Sequence, residues 1–330
     1  MKILVLGGTV FLGKHLIQAA LNRGHEVTMF NRGQRNPQLY PEVEKLIGNR
    51  DGDLTALEGR KWDAVIDTCG YVPRLVKASA QLLADAVEHY TFISSISAYA
   101  SFSEPGLHEN SPLAKLKDET VEQITGETYG GLKVLCEQAV ENALPNRSLL
   151  VRPGYIVGPD DPTDRWTYWL HRTNKGGTML APGNPAQPTQ VIDVRDLSDW
   201  TIGLIEGKKI GAYNATGPDY TLTWGDFLQT CKEVSGSDIN FVWVDQDFLA
   251  SHELRAGVEL PIWTPDNLDY AGFAKVDCSK AIADNLTFRP LAETVRDTLA
   301  WDNTRSHEKT YLNAIKPEKE VEVLAAYQQA

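Results

Sequence analysis

The chain has 330 residues, room for about two domains at the usual size and enough to bury a large core, which excludes a miniprotein stapled by metal or disulfides. Hydrophobic residues make up 42%, charged residues 23% and aromatics 9%, the mixture of an ordinary folded protein and not of a disordered, collagenous or coiled-coil chain. With 32 Lys and Arg against 44 Asp and Glu, the formal charge is −12, so a nucleic-acid backbone meets a repulsive average field and is not an expected partner.

In chain order, short β-branched runs alternate with longer stretches of helical spacing, the pattern of a parallel sheet covered on both faces by helices. Ile3 to Leu6 reads as a buried strand. The apolar stripe Phe11, Leu12, Leu16, Ala19, Ala20 then predicts a helix that stops at Gly24. Further strands are expected at Glu26 to Phe30, around Leu46 and Ile47, at Ala64 to Asp67 and at Tyr90 to Ser94, with a helix opening at Pro73 before the last of these. Ser97 to Thr128 lacks a strong period and is longer than a connection in a compact domain needs to be, which places it beside a site. Tyr129 to Asn142 predicts a helix and Leu149 to Arg152 a sixth strand, broken by Pro153-Gly154. From Gly158 to Pro188 the chain is rich in Pro, Gly and aromatics. Gln190 to Ile192, a helix over Leu197 to Ile205 and a strand over Ala212 to Ala215 then read as a return to the sheet. A smaller α+β portion follows, ending in a short amphipathic helix from Pro317.

The four cysteines, Cys69, Cys136, Cys231 and Cys278, form no Cys-x-x-Cys pair and no short metal-ligand spacing, so no metal is expected and a reduced, cytoplasmic setting fits. The opening apolar run is cut by Gly7-Gly8, and no run approaches the ~20 residues that cross a bilayer, so neither secretion nor membrane insertion is expected.

Gly7-Gly8-Thr9-Val10-Phe11-Leu12-Gly13 lies between the first strand and the first helix, where glycines let backbone N–H groups approach a pyrophosphate at a helix N-terminus. Val10 stands where a Gly-x-x-Gly-x-x-Gly loop has its middle glycine. A tight turn with no nucleotide is the plainer alternative. At the end of the second strand an acidic residue would receive a ribose 2′-hydroxyl, whereas arginine accommodates a 2′-phosphate. Here the residues are Asn31-Arg32, with Arg35 close by, which favours NADP(H) while leaving NAD(H) possible; the alternative is that Arg32 is a solvated loop residue.

Tyr129 and Lys133 are four residues apart and share one helix face. A lysine so placed is expected to lower the tyrosine pKa, so that the phenol exchanges a proton with a substrate hydroxyl or carbonyl while hydride moves to or from a nicotinamide. The intervening Gly130-Gly131 disfavours a helix by ~1 kcal/mol per residue relative to alanine, which implies a close approach by a neighbour.

These features, with Ser94-Ser95-Ile96-Ser97-Ala98-Tyr99 after the fifth strand, Arg152-Pro153 through Gly158-Pro159, and Ile192-Asp193-Val194-Arg195-Asp196-Leu197, resemble the extended, epimerase/dehydratase branch of the short-chain dehydrogenase/reductase superfamily. The variant glycine loop and the Asn31-Arg32 turn look more like the branch that includes chloroplast stem-loop-binding-like proteins. The resemblance implies a Rossmann-type, doubly wound parallel sheet over 1–157 and 189–222, with a smaller α+β substrate domain over 158–188 and 223–330. It makes Tyr129 the acid/base, Lys133 the residue that orients the nicotinamide ribose, and Ser95 the hydrogen-bond partner of the reacting oxygen. Its cofactor set comprises Gly7, Gly8, Thr9, Phe11, Leu12, Gly13, Asn31, Arg32, Arg35, Asn49, Arg50, Thr68, Cys69, Gly70, Ser94, Pro153 and Ile156. Asn49 and Arg50 replace the Asp and apolar residue that usually border adenine, and Cys69 becomes a wall residue of the cofactor-lining turn.

Two departures narrow the chemistry. Ile96-Ser97 stands where dehydratases of this branch carry Asp-Glu, and Tyr155 where nucleotide-sugar epimerases carry asparagine. Tyr71, Ser97, Tyr99, Tyr155, Arg165 and Trp166 are the substrate candidates, although the spacing of Trp166, Tyr168 and Trp169 equally suits a helix packed into the second domain. Asp193 and Asp196 are read as supports and caps of the helix that follows them. The expected function is hydride transfer at a secondary alcohol or ketone carbon of a small, sugar-like or aromatic substrate, with possible homodimers. The alternatives are an epimerase working by transient oxidation, a non-catalytic NADP-binding sensor suggested by Val10, and an RNA-binding relative disfavoured by the net charge.

Overall fold

The first strand is apolar at every residue from Ile3 to Leu6 because both of its faces are covered. In the computed structural model, which describes residues 1–305 and 314–329, Ile3 and Val5 pack under α1 (Phe11–Asn22) and the helix Val194–Glu206. Leu4 and Leu6 face α2 (Pro73–Leu83) and α3 (Tyr129–Ala143). The strands are β1 (Lys2–Leu6), β2 (Glu26–Asn31), β3 (Glu44–Ile47), β4 (Trp62–Asp67), β5 (Val87–Ile93) and β6 (Ser148–Pro153). With Gly211–Ala215 they form a seven-stranded sheet in the order Gly211–Ala215, β6, β5, β4, β1, β2, β3, all pairs parallel. This is the Rossmann-type doubly wound arrangement anticipated from the sequence. The chain leaves β1 in one direction and returns to its other side at β4, so a crevice opens at the carboxyl ends of those two strands.

The return to the sheet is smaller than expected. Val191–Asp193 pairs instead with β7 (Tyr155–Val157), and only Gly211–Ala215 rejoins the main sheet, beside β6. Where the chain leaves β6 it passes close to the segment after Gly211–Ala215, for a Cβ on Gly154 would lie 2.5 Å from Thr216 Oγ1. Asp193 caps the next helix as anticipated, accepting from Arg195 N at 2.8 Å.

A second apolar core gathers α4 (Thr167–Asn174), β8 (Thr178–Pro182), Trp224, Phe227 and the final helix Pro317–Tyr327. No strand is legible at 178–182 from composition, yet β8 pairs in parallel with Asn240–Val244. The final helix is tied in by Glu320, which accepts from Arg172 Nε at 2.8 Å and from Leu180 N at 3.0 Å. Among the described residues no helix is long and apolar enough to cross a membrane.

Candidate active site

A cavity of about 990 Å³ lies over the crevice and is lined from the glycine loop at one end to Phe273 at the other. Gly7 and Gly8 hold φ of +108° and +93°, and a Cβ would strike Thr68 Oγ1 at 2.5 Å from Gly7 or Ile17 Cδ1 at 2.6 Å from Gly8. Gly13 lets the helix press on the loop, for its Cβ would stand 2.8 Å from Gly8 Cα. Val10 is extended, with φ −136° and ψ 139°, and lines the cavity, while the next residue, Phe11, takes a positive φ of +32°. Thr9, Phe11 and Leu12 complete this end of the lining. The cradle fits a dinucleotide pyrophosphate: glycines without side chains, at the start of a helix.

Beyond β2 the structure separates Asn31 from the two arginines. The Asn31 amide donates to the Gly7 carbonyl at 3.0 Å and its oxygen accepts from Gly33 N at 2.8 Å, so both ends of the side chain are committed to main chain. Asn31 therefore ties the loop to the end of β2 and also lines the cavity. Arg32 and Arg35 are exposed, line the cavity and have no hydrogen-bonded or ion-paired partner among the described residues. Asn49 lines the cavity, its side-chain oxygen accepting from Asp51 N at 3.2 Å.

Arg50 also lines the cavity, but its guanidinium is turned into the protein. It forks onto the carboxylate of Asp67 at the end of β4, through Nη1 to Oδ1 at 2.6 Å and Nη2 to Oδ2, and donates to Ser79 Oγ at 2.7 Å. Tyr90 donates to the same carboxylate at 2.9 Å. Arg50 is thus the counter-ion of a fully buried acid and at the same time part of the cavity lining. The turn after Asp67 is anchored by Thr68 Oγ1 donating to Leu6 O at 2.9 Å and Cys69 N donating to Asp67 Oδ1 at 3.2 Å. Thr68 and Cys69 line the cavity, as do Ser94, Pro153 and Ile156, whereas Gly70 contributes its carbonyl to Lys133. Ser94 Oγ is buried without a partner.

Ser95, Tyr129 and Lys133 meet in the same cavity. Ser95 caps the short 3-10 turn Ile96–Ala98, its oxygen accepting from Ser97 N at 3.1 Å. The paired glycines of α3 make this meeting possible. A Cβ on Gly130 would collide with the Ser97 carbonyl oxygen, and one on Gly131 would come within 2.6 Å of Leu116 Cγ. Here is the close approach that the unfavourable Gly130-Gly131 pair implied. Gly130→Ala, although better for helix propensity, is expected to push α3 from Ser95–Ser97 and lower kcat/KM about a hundredfold. Steady-state kinetics alongside an unchanged far-UV spectrum checks it.

The expected depression of the Tyr129 pKa is not found. Burial first, then Tyr71, push the phenol up to about 12, with the Ser95 hydroxyl and the charge of Arg165 pulling the other way. Lys133 is buried, and its ammonium donates to Gly70 O at 2.8 Å and Ile93 O at 2.9 Å, with the nitrogen 5.9 Å from the Tyr129 ring centre. Burial lowers the lysine to about 8. At neutral pH the pair is a neutral phenol beside an ammonium held by carbonyls, a proton donor with a cation behind it.

Toward the second core the cavity is lined by Tyr71, Ser97, Tyr155 and Arg165. Tyr99 and Trp166 do not reach it. Tyr99 is buried, donating to Asn214 Oδ1 at 2.6 Å with Arg152 over its ring. Trp166 is fully buried and stacks on Phe227 at 4.0 Å between ring centres, so the helix-packing reading of the aromatic trio holds. Sequence reasoning missed Phe273, which packs on Tyr155 at 5.5 Å, and the buried Asp161 beside Thr163. Nothing near Phe273 in the sequence signals it, whereas Asp161 and Thr163 sit two residues apart just before the candidate Arg165.

Residues 3–81 match the model of the NAD dependent epimerase/dehydratase family. The resemblance to that family holds. A chloroplast stem-loop binding protein of 41 kDa from Arabidopsis thaliana is 24% identical over 255 residues, covering 71% of this chain and 63% of the relative, so the match spans less than two thirds of that protein's length. Among solved structures, the Bordetella bronchiseptica enzyme WbmH in complex with NAD+ is 16% identical with a TM-score of 0.67, over 92% of this chain and 98% of that one. UDP-glucuronic acid 4-epimerase from Bacillus cereus, in complex with NAD, is 17% identical with a TM-score of 0.65, over 92% and 99%. At such identities these structures share the fold.

Proposed function

We propose that the protein is an NAD(P)(H)-dependent oxidoreductase of the extended short-chain type, moving hydride at a secondary alcohol or ketone carbon of a small substrate with Tyr129 as acid/base. One observation carries this reading: Ser95, Tyr129 and Lys133 line the same cavity as the glycine cradle. The bound nicotinamide supplies the hydride chemistry. The chain's residues do the rest: Gly7, Gly8 and the start of α1 receive the pyrophosphate, Ser95 hydrogen-bonds the reacting oxygen, and Tyr129, protonated at neutral pH, gives that oxygen its proton. NAD-bound relatives of the same fold support use of NAD(H). The finer preference for NADP(H) rests on Arg32 and Arg35, two guanidinium groups that line the cavity without a hydrogen-bonded or ion-paired partner among the described residues.

Fluorescence titration tests the cofactor assignment. NADPH is expected to bind more tightly than NADH, and Arg32→Ala to weaken NADPH about tenfold or more while leaving NADH nearly unchanged. Equal loss for both refutes the 2′-phosphate contact, and binding of neither refutes the oxidoreductase reading. An epimerase that oxidises and re-reduces its substrate is the second reading, favoured by the fold of the Bacillus cereus 4-epimerase and opposed by Tyr155 in place of asparagine.

A further inference from the structure

Four charged residues lie between 160 and 165, of which Asp161 and Arg165 line the cavity, and three of the four are acids already engaged. Asp160 holds Lys14 at 2.7 Å and His15 at 3.3 Å. Asp161 is buried and accepts from Thr163 N at 2.9 Å and Thr163 Oγ1 at 2.7 Å. Asp164 pairs with Arg305 at 2.6 Å. Arg165 is left without a carboxylate. Its Nε donates to Thr163 Oγ1 at 3.1 Å, so the Asp161–Thr163 pair fixes the side chain, while neither terminal nitrogen has an acceptor among the described residues. Its guanidinium carbon lies 5.3 Å over the Tyr155 ring, and Tyr155 in turn packs on Phe273. A guanidinium laid on an aromatic face presents its edge, the arrangement that binds a carboxylate or phosphate through two parallel hydrogen bonds. Arg165 and Tyr129 line one cavity, close enough for the arginine charge to act on the phenol.

We propose that Arg165 is the receptor for an anionic group of the substrate, and that this half of the cavity takes a compound bearing a carboxylate or a phosphate on an apolar or aromatic body. The anion docks on the two terminal nitrogens, the body lies against Tyr155 and Phe273, and the oxygen to be protonated reaches Ser95 and Tyr129. This last clause rests on the oxidoreductase reading; the anion site does not.

The test uses the full chain saturated with NADPH, so that the pyrophosphate cradle and Arg32 are occupied. It is titrated with benzoate, phenyl phosphate and neutral benzamide, and binding is read by calorimetry. One or both anions are expected to bind, benzamide much more weakly. Arg165→Gln should weaken the anion about tenfold or more, and Arg165→Lys should restore part of the loss, with the NADPH affinity and melting temperature of both variants unchanged. The tighter of the two anions identifies carboxylate or phosphate as the native group. Benzamide binding as well as benzoate, anions binding the Gln variant as well as the parent, or neither anion binding at millimolar concentration each overturns the proposal. Should NADPH itself not bind, the oxidoreductase reading falls, and the same titrations on the free protein still decide the anion site.

Discussion

Tyr129→Phe is expected to lower kcat by about 10²- to 10⁴-fold, the usual contribution of a positioned acid or base, while leaving the affinity for NADPH within error of the parent. The phenylalanine fills the same space on α3, and the contacts of the cradle at Gly7, Gly8 and Gly13 lie elsewhere on the cavity wall. Lys133 keeps both of its carbonyl acceptors in the variant, because Gly70 and Ile93 are bound without the phenol. Loss of activity with retained binding therefore separates proton transfer from cofactor positioning. A phenol pushed up to about 12 by burial is protonated at neutral pH, so the reductive rate should hold across neutrality. Turnover that survives in the Phe variant, or a reductive rate that falls with a midpoint near neutral pH, assigns the proton to another group.

Local pattern made one half of this site readable. The strand Ile3 to Leu6, the glycine loop and the stripe on α1 are consecutive in the chain, and their spacing alone dictates strand, turn and helix. Tyr129 and Lys133 are one helical turn apart, so their common face follows from geometry. What lay beyond reach were pairings made across the fold. Lys133 was expected to act on Tyr129, yet two backbone carbonyls from the ends of different strands hold its ammonium, and carbonyls leave no mark in a sequence. Arg50 is placed at the adenine by the resemblance alone; its partner Asp67 lies on the far side of β1, and only the strand order brings the two together. Trp166 carried a genuine ambiguity, since a helical aromatic stripe reads the same whether it faces a ligand or a core. Phe227, which stacks on it, resolves that ambiguity from 61 residues away.

Asp67→Asn is expected to be the most destabilising single change near the cofactor cleft, costing about 3–5 kcal/mol, the range for removing one member of a buried ion pair. Asp67 has no exposed surface and Arg50 keeps only 11% of its side chain exposed, so the variant strands a guanidinium charge with a neutral amide for company. Burial by itself would raise the Asp67 pKa, but the charge and hydrogen bonds of Arg50, with those from Tyr90 and Cys69 N, outweigh it and hold the carboxyl below its ordinary value. The sign for stability follows. A carboxyl with a lowered folded-state pKa contributes its full stabilisation above the unfolded value of about 3.9 and loses it as pH falls through the folded value. The stability gap between parent and variant in urea should accordingly stay constant from neutral pH to about pH 4 and narrow only in stronger acid. A second variant separates charge from shape: Arg50→Met with Asp67→Leu removes both charges and should recover much of the loss, as replacing a whole buried pair by apolar groups often does. If Asp67→Asn alone melts like the parent, the pair is not what stabilises this part of the cleft, and the hydrogen bonds from Arg50 to Ser79 Oγ and the Leu75 carbonyl must hold the guanidinium without the carboxylate.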